Sequence, residues 1–150
     1  MLFRSSIVPL DSYLPYLLNR AGSRIAASFS ERIRPFGASL QMWRVLAALR
    51  EKDGRRMGDL SATTSIEVST LTRLVDAMEE KGVVARRRDG EDARAVLLHV
   101  TAAGRRLTER ILPIAEHYEK AALAGFSAAE GDKLKAALRR LYANMEALDR

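Results

Sequence analysis

Val68-Ser69-Thr70-Leu71-Thr72-Arg73-Leu74-Val75-Asp76-Ala77-Met78-Glu79-Glu80-Lys81-Gly82 runs directly into Val83-Val84-Ala85-Arg86-Arg87-Arg88-Asp89-Gly90-Glu91-Asp92-Ala93-Arg94-Ala95-Val96-Leu97-Leu98-His99-Val100. In the first half Val68, Leu71, Leu74, Val75 and Met78 recur at spacings of three and four, the repeat of one helix face, and Gly82 stops the pattern. In the second half the runs 83–88 and 95–100 read as strands. They flank Asp89-Gly90-Glu91-Asp92, where Asp-Gly signals a hairpin. A shorter helical pattern with Met57 and Leu60 comes just before, separated by Thr63-Thr64-Ser65-Ile66. Helix, turn, helix and hairpin in this order make a winged helix.

Outward from that block the chain stays helical. Leu14, Leu17, Leu18, Ala21, Ile25, Phe29 and Ile33 mark a helix from about Ser12 to Arg34, with Asp11 or Ser12 placed to cap it and Pro15 in its first turn. Pro35-Phe36-Gly37 ends it. Ser39 then caps a helix carrying Leu40, Trp43, Leu46, Ala47 and Leu49, which stops before Asp53-Gly54. Downstream, Thr101 caps a helix with Leu107, Ile111, Ile114, Ala115, Tyr118 and Ala122 on one side. Pro113 inside it predicts a bend or a lost backbone bond. Ser127-Ala128-Ala129-Glu130 has the form of a capping box and opens a last helix with Leu134, Ala137, Leu138, Leu141, Tyr142 and Met145. The predicted class is mainly α with a small β-hairpin wing: a winged helix-turn-helix over about 38–100, and dimerisation helices over about 11–35 and 101–149. So small a winged helix cannot cover the apolar faces of the first and last helices, which predicts that they bury one another and their counterparts in a second copy.

Composition narrows the chemistry. The 150 residues suit one domain, and close to half are apolar, enough for a core. The formal charge is +6; residues 1–54 hold eight basic and four acidic side chains, 55–110 eleven and nine, and 111–150 six of each. The basic excess therefore lies in the first two-thirds and makes a polyanionic partner worth considering. Without cysteine, disulfides, thiolate zinc sites, cysteine nucleophiles and thiol redox sensing are excluded. Two distant histidines, His99 and His117, argue against a histidine metal cluster, and no cofactor is expected. Met1 to Pro9 lacks the long apolar stretch of a secretion signal, and no run is long enough to span a bilayer. A cytoplasmic, nucleoid-associated protein with no membrane contact is predicted.

The helix from about Glu67 to Lys81 opens with short hydroxylated side chains, Ser69, Thr70 and Thr72, which meet phosphates or base edges without blocking the major groove. Arg73 lies where a guanidinium reaches a guanine or a phosphate. The plain reading of these residues is capping and solvation; the hairpin immediately downstream turns the balance toward double-stranded DNA. The hairpin carries Arg86, Arg87, Arg88 and Arg94, and a narrow minor groove attracts an inserted arginine. Asp92, two residues before Arg94, is placed to hold that guanidinium in a reaching pose.

Ser69–Asp76, then Glu79-Glu80-Lys81-Gly82-Val83-Val84, then Asp92-Ala93-Arg94, then Val100-Thr101-Ala102-Ala103-Gly104 together resemble the signature of the MarR family of bacterial transcriptional regulators. The resemblance extends upstream to Ser39–Leu46 and covers roughly residues 12–148. It implies a homodimeric winged helix-turn-helix protein, most often a repressor, on pseudo-palindromic DNA, with the first, fifth and sixth helices as the dimer region. It places Ser69, Thr70, Thr72 and Arg73 on the recognition helix, and Arg94 as the wing arginine supported by Asp92. Two departures stand out. Ala93 removes one arginine contact, and Met42 replaces a common glutamine and makes the adjoining pocket more apolar.

The same resemblance implies a small aromatic or phenolic effector, for which Arg20, Arg24, Phe36, Met42, Trp43 and Tyr118 are candidates. Core packing is the plain reading of the aromatics and Met42, and snorkelling to solvent that of the two arginines. His117, beside Tyr118, reads as a helix-surface or interface histidine. Two other functions compete. A winged-helix protein-interaction module without sequence-specific DNA binding is opposed by Arg73, Asp92 and Arg94. An enzyme is opposed by the lack of a nucleophile–base pair, phosphate loop or metal-ligand cluster.

Overall fold

The computed structural model describes residues 9–92 and 94–150. The first eight residues, read above for the missing secretion signal, and Ala93, read as a missing wing contact, lie outside the described residues. The chain divides into two compact units, the first running to Ala115 and the second covering Glu116–Arg150.

A 3-10 turn, Leu10–Ser12, precedes the first helix, α1 (Leu14–Ile33). Asp11 and Ser12 are thereby taken into that turn, and neither caps α1. The N-cap is Tyr13, without a side-chain bond, and Pro15 falls in the first turn, where its missing N–H leaves nothing unpaired. A second 3-10 turn, Arg34–Phe36, and Gly37 at φ +72° end α1. The Ser39 hydroxyl then accepts the Met42 N–H at 3.2 Å and opens α2 (Leu40–Glu51). After Gly54, also left-handed, come a two-residue strand β1 (Arg55–Arg56) and α3 (Met57–Thr64). Thr63 and Thr64 belong to α3 and not to the turn that the sequence suggested. The buried Thr64 hydroxyl donates to the Leu60 carbonyl at 2.5 Å, and Ser65, at φ +56°, makes the turn into α4 (Val68–Glu80).

The wing is β2 (Val84–Arg88) and β3 (Val96–Val100), antiparallel, with Arg86 opposite Leu98 and Arg88 opposite Val96. Gly90 is not left-handed, and beyond the strand ends the Asp89 N–H donates to the Ala95 carbonyl at 2.9 Å. Strand β1 pairs with the other edge of β3, giving the order β1-β3-β2. A two-residue strand has no period to read, so the sequence did not reveal it. The core between α2, α3, α4 and the sheet is built from Val45, Leu46, Leu49, Leu60, Leu71, Val75, Met78 and Leu98.

Thr101 joins the sheet to α5 (Ala102–Ala122) with both ends of its hydroxyl. It accepts the Gly104 N–H at 3.1 Å, the expected cap, and donates to the Gly82 carbonyl at 2.6 Å. Helix α5 continues through Pro113, which leaves the Glu109 carbonyl without its usual donor. In the second unit the Ser127 hydroxyl accepts the Glu130 N–H at 3.1 Å and opens α6 (Ala128–Leu148), and Lys135 pairs with Glu119 at 2.6 Å. Leu134, Leu138, Tyr142, Met145 and Leu148 of α6 are exposed in the single chain. So are Leu14, Leu17, Leu18 and Ile25 of α1. No helix among the described residues is long and apolar enough to cross a membrane.

Candidate nucleic-acid interface

Helix α4 is divided by its period. Leu71, Val75 and Met78 are fully buried, which turns Ser69, Thr70, Thr72 and Arg73 outward, all exposed. The Ser69 hydroxyl lies 3.2 Å from the Glu67 carboxylate. The Thr72 hydroxyl donates to the Val68 carbonyl at 2.8 Å. With its proton committed to the helix backbone, Thr72 presents lone pairs outward and acts there as an acceptor.

The wing arginines differ from one another. Arg88 and Arg94 are exposed. Arg86 is not free to reach out. Alternation along β2 puts it on the same side as Val84 and opposite the buried Leu98, facing α4. There its guanidinium meets Asp76 at 2.8 Å and Glu79 in a close ion pair, and lies 3.5 Å from the Thr72 carbonyl. Strand period and the two carboxylates turn Arg86 toward α4. Asp92 also acts differently from the expectation. Its Oδ1 accepts the Arg94 backbone N–H at 3.0 Å, and its Oδ2 lies 4.0 Å from Arg56; its grip is on the loop backbone and not on the Arg94 guanidinium.

Five of the candidate effector residues lie in the first unit and Tyr118 in the second. Arg20 and Arg24 are exposed on α1 and bond within it, to the Tyr16 hydroxyl at 3.3 Å and the Ser28 hydroxyl at 3.1 Å. Met42 is core. Trp43 packs on Phe29 with ring centroids 6.0 Å apart, and Phe36 lies 4.7 Å beneath the Arg110 guanidinium. Tyr118 belongs to the second unit, edge-on to His117. A cavity of about 240 Å³ is lined by Leu46, Leu49, Arg50, Asp53, Val100, Arg105, Thr108 and Glu109. At its edge Asp53 accepts the Val100 N–H at 2.9 Å and faces His99 at 3.4 Å and Arg105 at 3.7 Å. Partial burial alone would raise the Asp53 pKa. The Val100 N–H, His99 and the Gly54 N–H outweigh it and hold the carboxyl below its ordinary 3.8. The sequence did not suggest Asp53 as a hub, because its partners lie 46 to 52 positions downstream. Among the described residues no three metal-ligating side chains gather into a metal site.

A helix-turn-helix whose second helix turns hydroxyls and Arg73 to solvent beside an arginine-bearing hairpin defines a winged-helix nucleic-acid-binding protein. The sequence profile of the MarR family matches residues 36–95. The chain is 30% identical over 117 residues to the uncharacterized HTH-type transcriptional regulator YwoH of Bacillus subtilis, across 78% of this chain and 85% of that protein. Among solved structures, a MarR-family transcriptional regulator from Silicibacter pomeroyi is 32% identical with a TM-score of 0.81, across 91% of this chain and 92% of that one. CouR from Rhodococcus jostii RHA1 is 25% identical, across 89% of this chain and 94% of its own. It has been solved bound to p-coumaroyl-CoA (TM-score 0.83), and the repressor has been solved on a 23-mer DNA duplex (TM-score 0.80). The chain belongs to the MarR family of winged helix-turn-helix transcriptional regulators.

Proposed function

We propose that this protein is a homodimeric transcriptional repressor that binds pseudo-palindromic operator DNA, without catalytic activity, in the cytoplasm and on the nucleoid. The observation that carries the reading is the outward face of α4: Ser69, Thr70, Thr72 and Arg73 project from a helix whose opposite face is locked into the core. In this reading α4 enters the major groove. Arg73 reads a guanine or clamps a phosphate, and Thr72, an acceptor outward, takes an exocyclic amine of adenine or cytosine. Arg88 and Arg94 follow the flanking minor groove, with the Arg94 backbone set by Asp92. Residues 38–100 act as the DNA-binding part, and 11–35 with 101–149 as the dimerisation part.

Regulation of DNA binding by 6-hydroxynicotinic acid in the 28% identical BpsR of Bordetella bronchiseptica supports a small aromatic effector. In this reading the effector favours a dimer whose two α4 helices are wrongly spaced for successive grooves. The cavity lined by Arg50 and Arg105, by the carboxylates of Asp53 and Glu109 and by Leu46, Leu49 and Val100 is a further candidate place for an aromatic effector, beside Arg20, Arg24, Phe36, Trp43 and Tyr118. Met42 serves packing. Footprinting on fragments selected from genomic DNA tests the whole reading. Two protected major grooves on one face of the duplex, about one helical turn apart, are expected; a single half-site bound equally well contradicts it. Benzoate added to the complex probes the effector, with release of the footprint expected and an unchanged footprint counting against it.

A further inference from the structure

Arg86 is a wing arginine that meets carboxylates of the recognition helix. Asp76 and Glu79 stand three positions apart on α4, on the side that meets β2, and both address its guanidinium. Glu79 is itself half-buried and also lies 3.5 Å from the Arg86 backbone N–H, so one carboxylate touches the strand at two points. The guanidinium lies 3.5 Å from the carbonyl of Thr72, in the half of α4 that carries the outward hydroxyls and Arg73. Only 27% of the Arg86 side chain is exposed, so its charge is matched inside the protein before any phosphate approaches. Two rigid elements meeting at an angle, with the angle spanned by one three-way ion cluster, form a geometric device.

We propose that Arg86 is a positioning residue that fixes the wing against the recognition helix, so that α4 and Arg94 reach their two grooves at once. It makes no phosphate contact of its own. The proposal rests on the DNA-binding reading above. It gives Glu79 a role opposite to the one its charge suggests. A carboxylate beside a DNA interface ordinarily repels the duplex, and removing it should tighten binding. If Glu79 works through Arg86, removing it loosens the wing and weakens binding instead.

The test compares wild type with Arg86→Gln, Glu79→Gln, Asp76→Asn and the Arg86→Gln/Glu79→Gln pair on the selected operator over a range of salt. The single variants at 79 and 86 are each expected to bind roughly tenfold more weakly, and the pair little worse than either, because both remove one shared interaction. The salt slope should stay unchanged, since no counterion is released at Arg86, and preference for A·T-rich flanks should fall while half-site preference survives. Asp76→Asn, at a largely exposed site, should give a milder form of the same loss and serves if the other variants fold poorly. Tighter binding by Glu79→Gln or Asp76→Asn, or a salt slope lowered by about one in Arg86→Gln, overturns the positioning role and makes Arg86 a phosphate contact. Wild-type protein that retains no duplex at any salt overturns the DNA reading itself, and this proposal with it.

Discussion

Gly104 shows how one side chain, or its absence, fixes a joint. A Cβ built there would collide with the Val83 carbonyl oxygen and crowd the Val100 side chain. Helix propensity alone would make alanine better than glycine by about 1 kcal/mol at an interior position. Here the collision is with backbone, which cannot swing aside, so the steric effect wins. Gly104→Ala is expected to lower unfolding free energy by roughly 1–3 kcal/mol, read from the urea midpoint at constant m-value. A variant as stable as wild type would show that α5 can tilt away from the sheet. Arg86 makes a related point about charge. A run of three arginines reads as a basic surface, yet Arg86 sits where β2 meets α4 and its charge is met by Asp76 and Glu79.

Between elements, Asp53 ties the turn after α2 to the last residues of β3 and the first turn of α5, through Val100, His99 and Arg105. Its carboxyl is held below 3.8, so the charged form is the one the folded state favours. The resulting stability is fully present above the ordinary carboxylate value and is lost as pH falls through the lower folded value. Asp53→Asn should therefore be less stable than wild type near neutrality, and the gap should close as pH drops below about 4. Denaturation of both proteins at matched ionic strength from pH 7 to pH 3.5 checks this. A gap that stays constant between about pH 5 and pH 3.5 would mean that the Asp53 charge does not support the joint. Thr101 belongs to the same region and was legible as a helix cap; its second bond, to Gly82, was not, because that partner comes from the end of another helix.

On the scale of the molecule, the exposed Leu14, Leu17, Leu18 and Ile25 of α1, and Leu134, Leu138, Tyr142 and Met145 of α6, are more apolar surface than a single soluble chain usually leaves open. A second copy of the chain covers them in the proposed dimer. Leu138→Glu would place a charge in that apolar surface and is expected to shift the protein toward monomer, seen by sedimentation across a dilution series. Operator affinity should fall with it, since two linked half-sites bind far better than one. A wild-type monomer that stays folded at micromolar concentration, or a Leu138→Glu dimer with wild-type affinity, would defeat the dimer reading.

The sequence by itself determined the order of the elements, the stops at Gly37, Gly54 and Gly82, the caps at Ser39, Thr101 and Ser127, and the outward set on α4. Each of these is a local matter of period, backbone freedom or a hydroxyl within four residues of its partner. Tertiary structure decided the rest. The β1 strand exists only because β3 lies beside it, and Thr63–Thr64 stay helical because α3 packs over the core. Asp92 holds a backbone N–H in place of a guanidinium. Arg86 took its role from Asp76 and Glu79 on the neighbouring helix, and Asp53 its role from Val100 and Arg105 far along the chain, pairings that no spacing rule predicts. Local periodicity constrains where a side chain points along its own element, whereas the charge it meets depends on which other element the core brings against it.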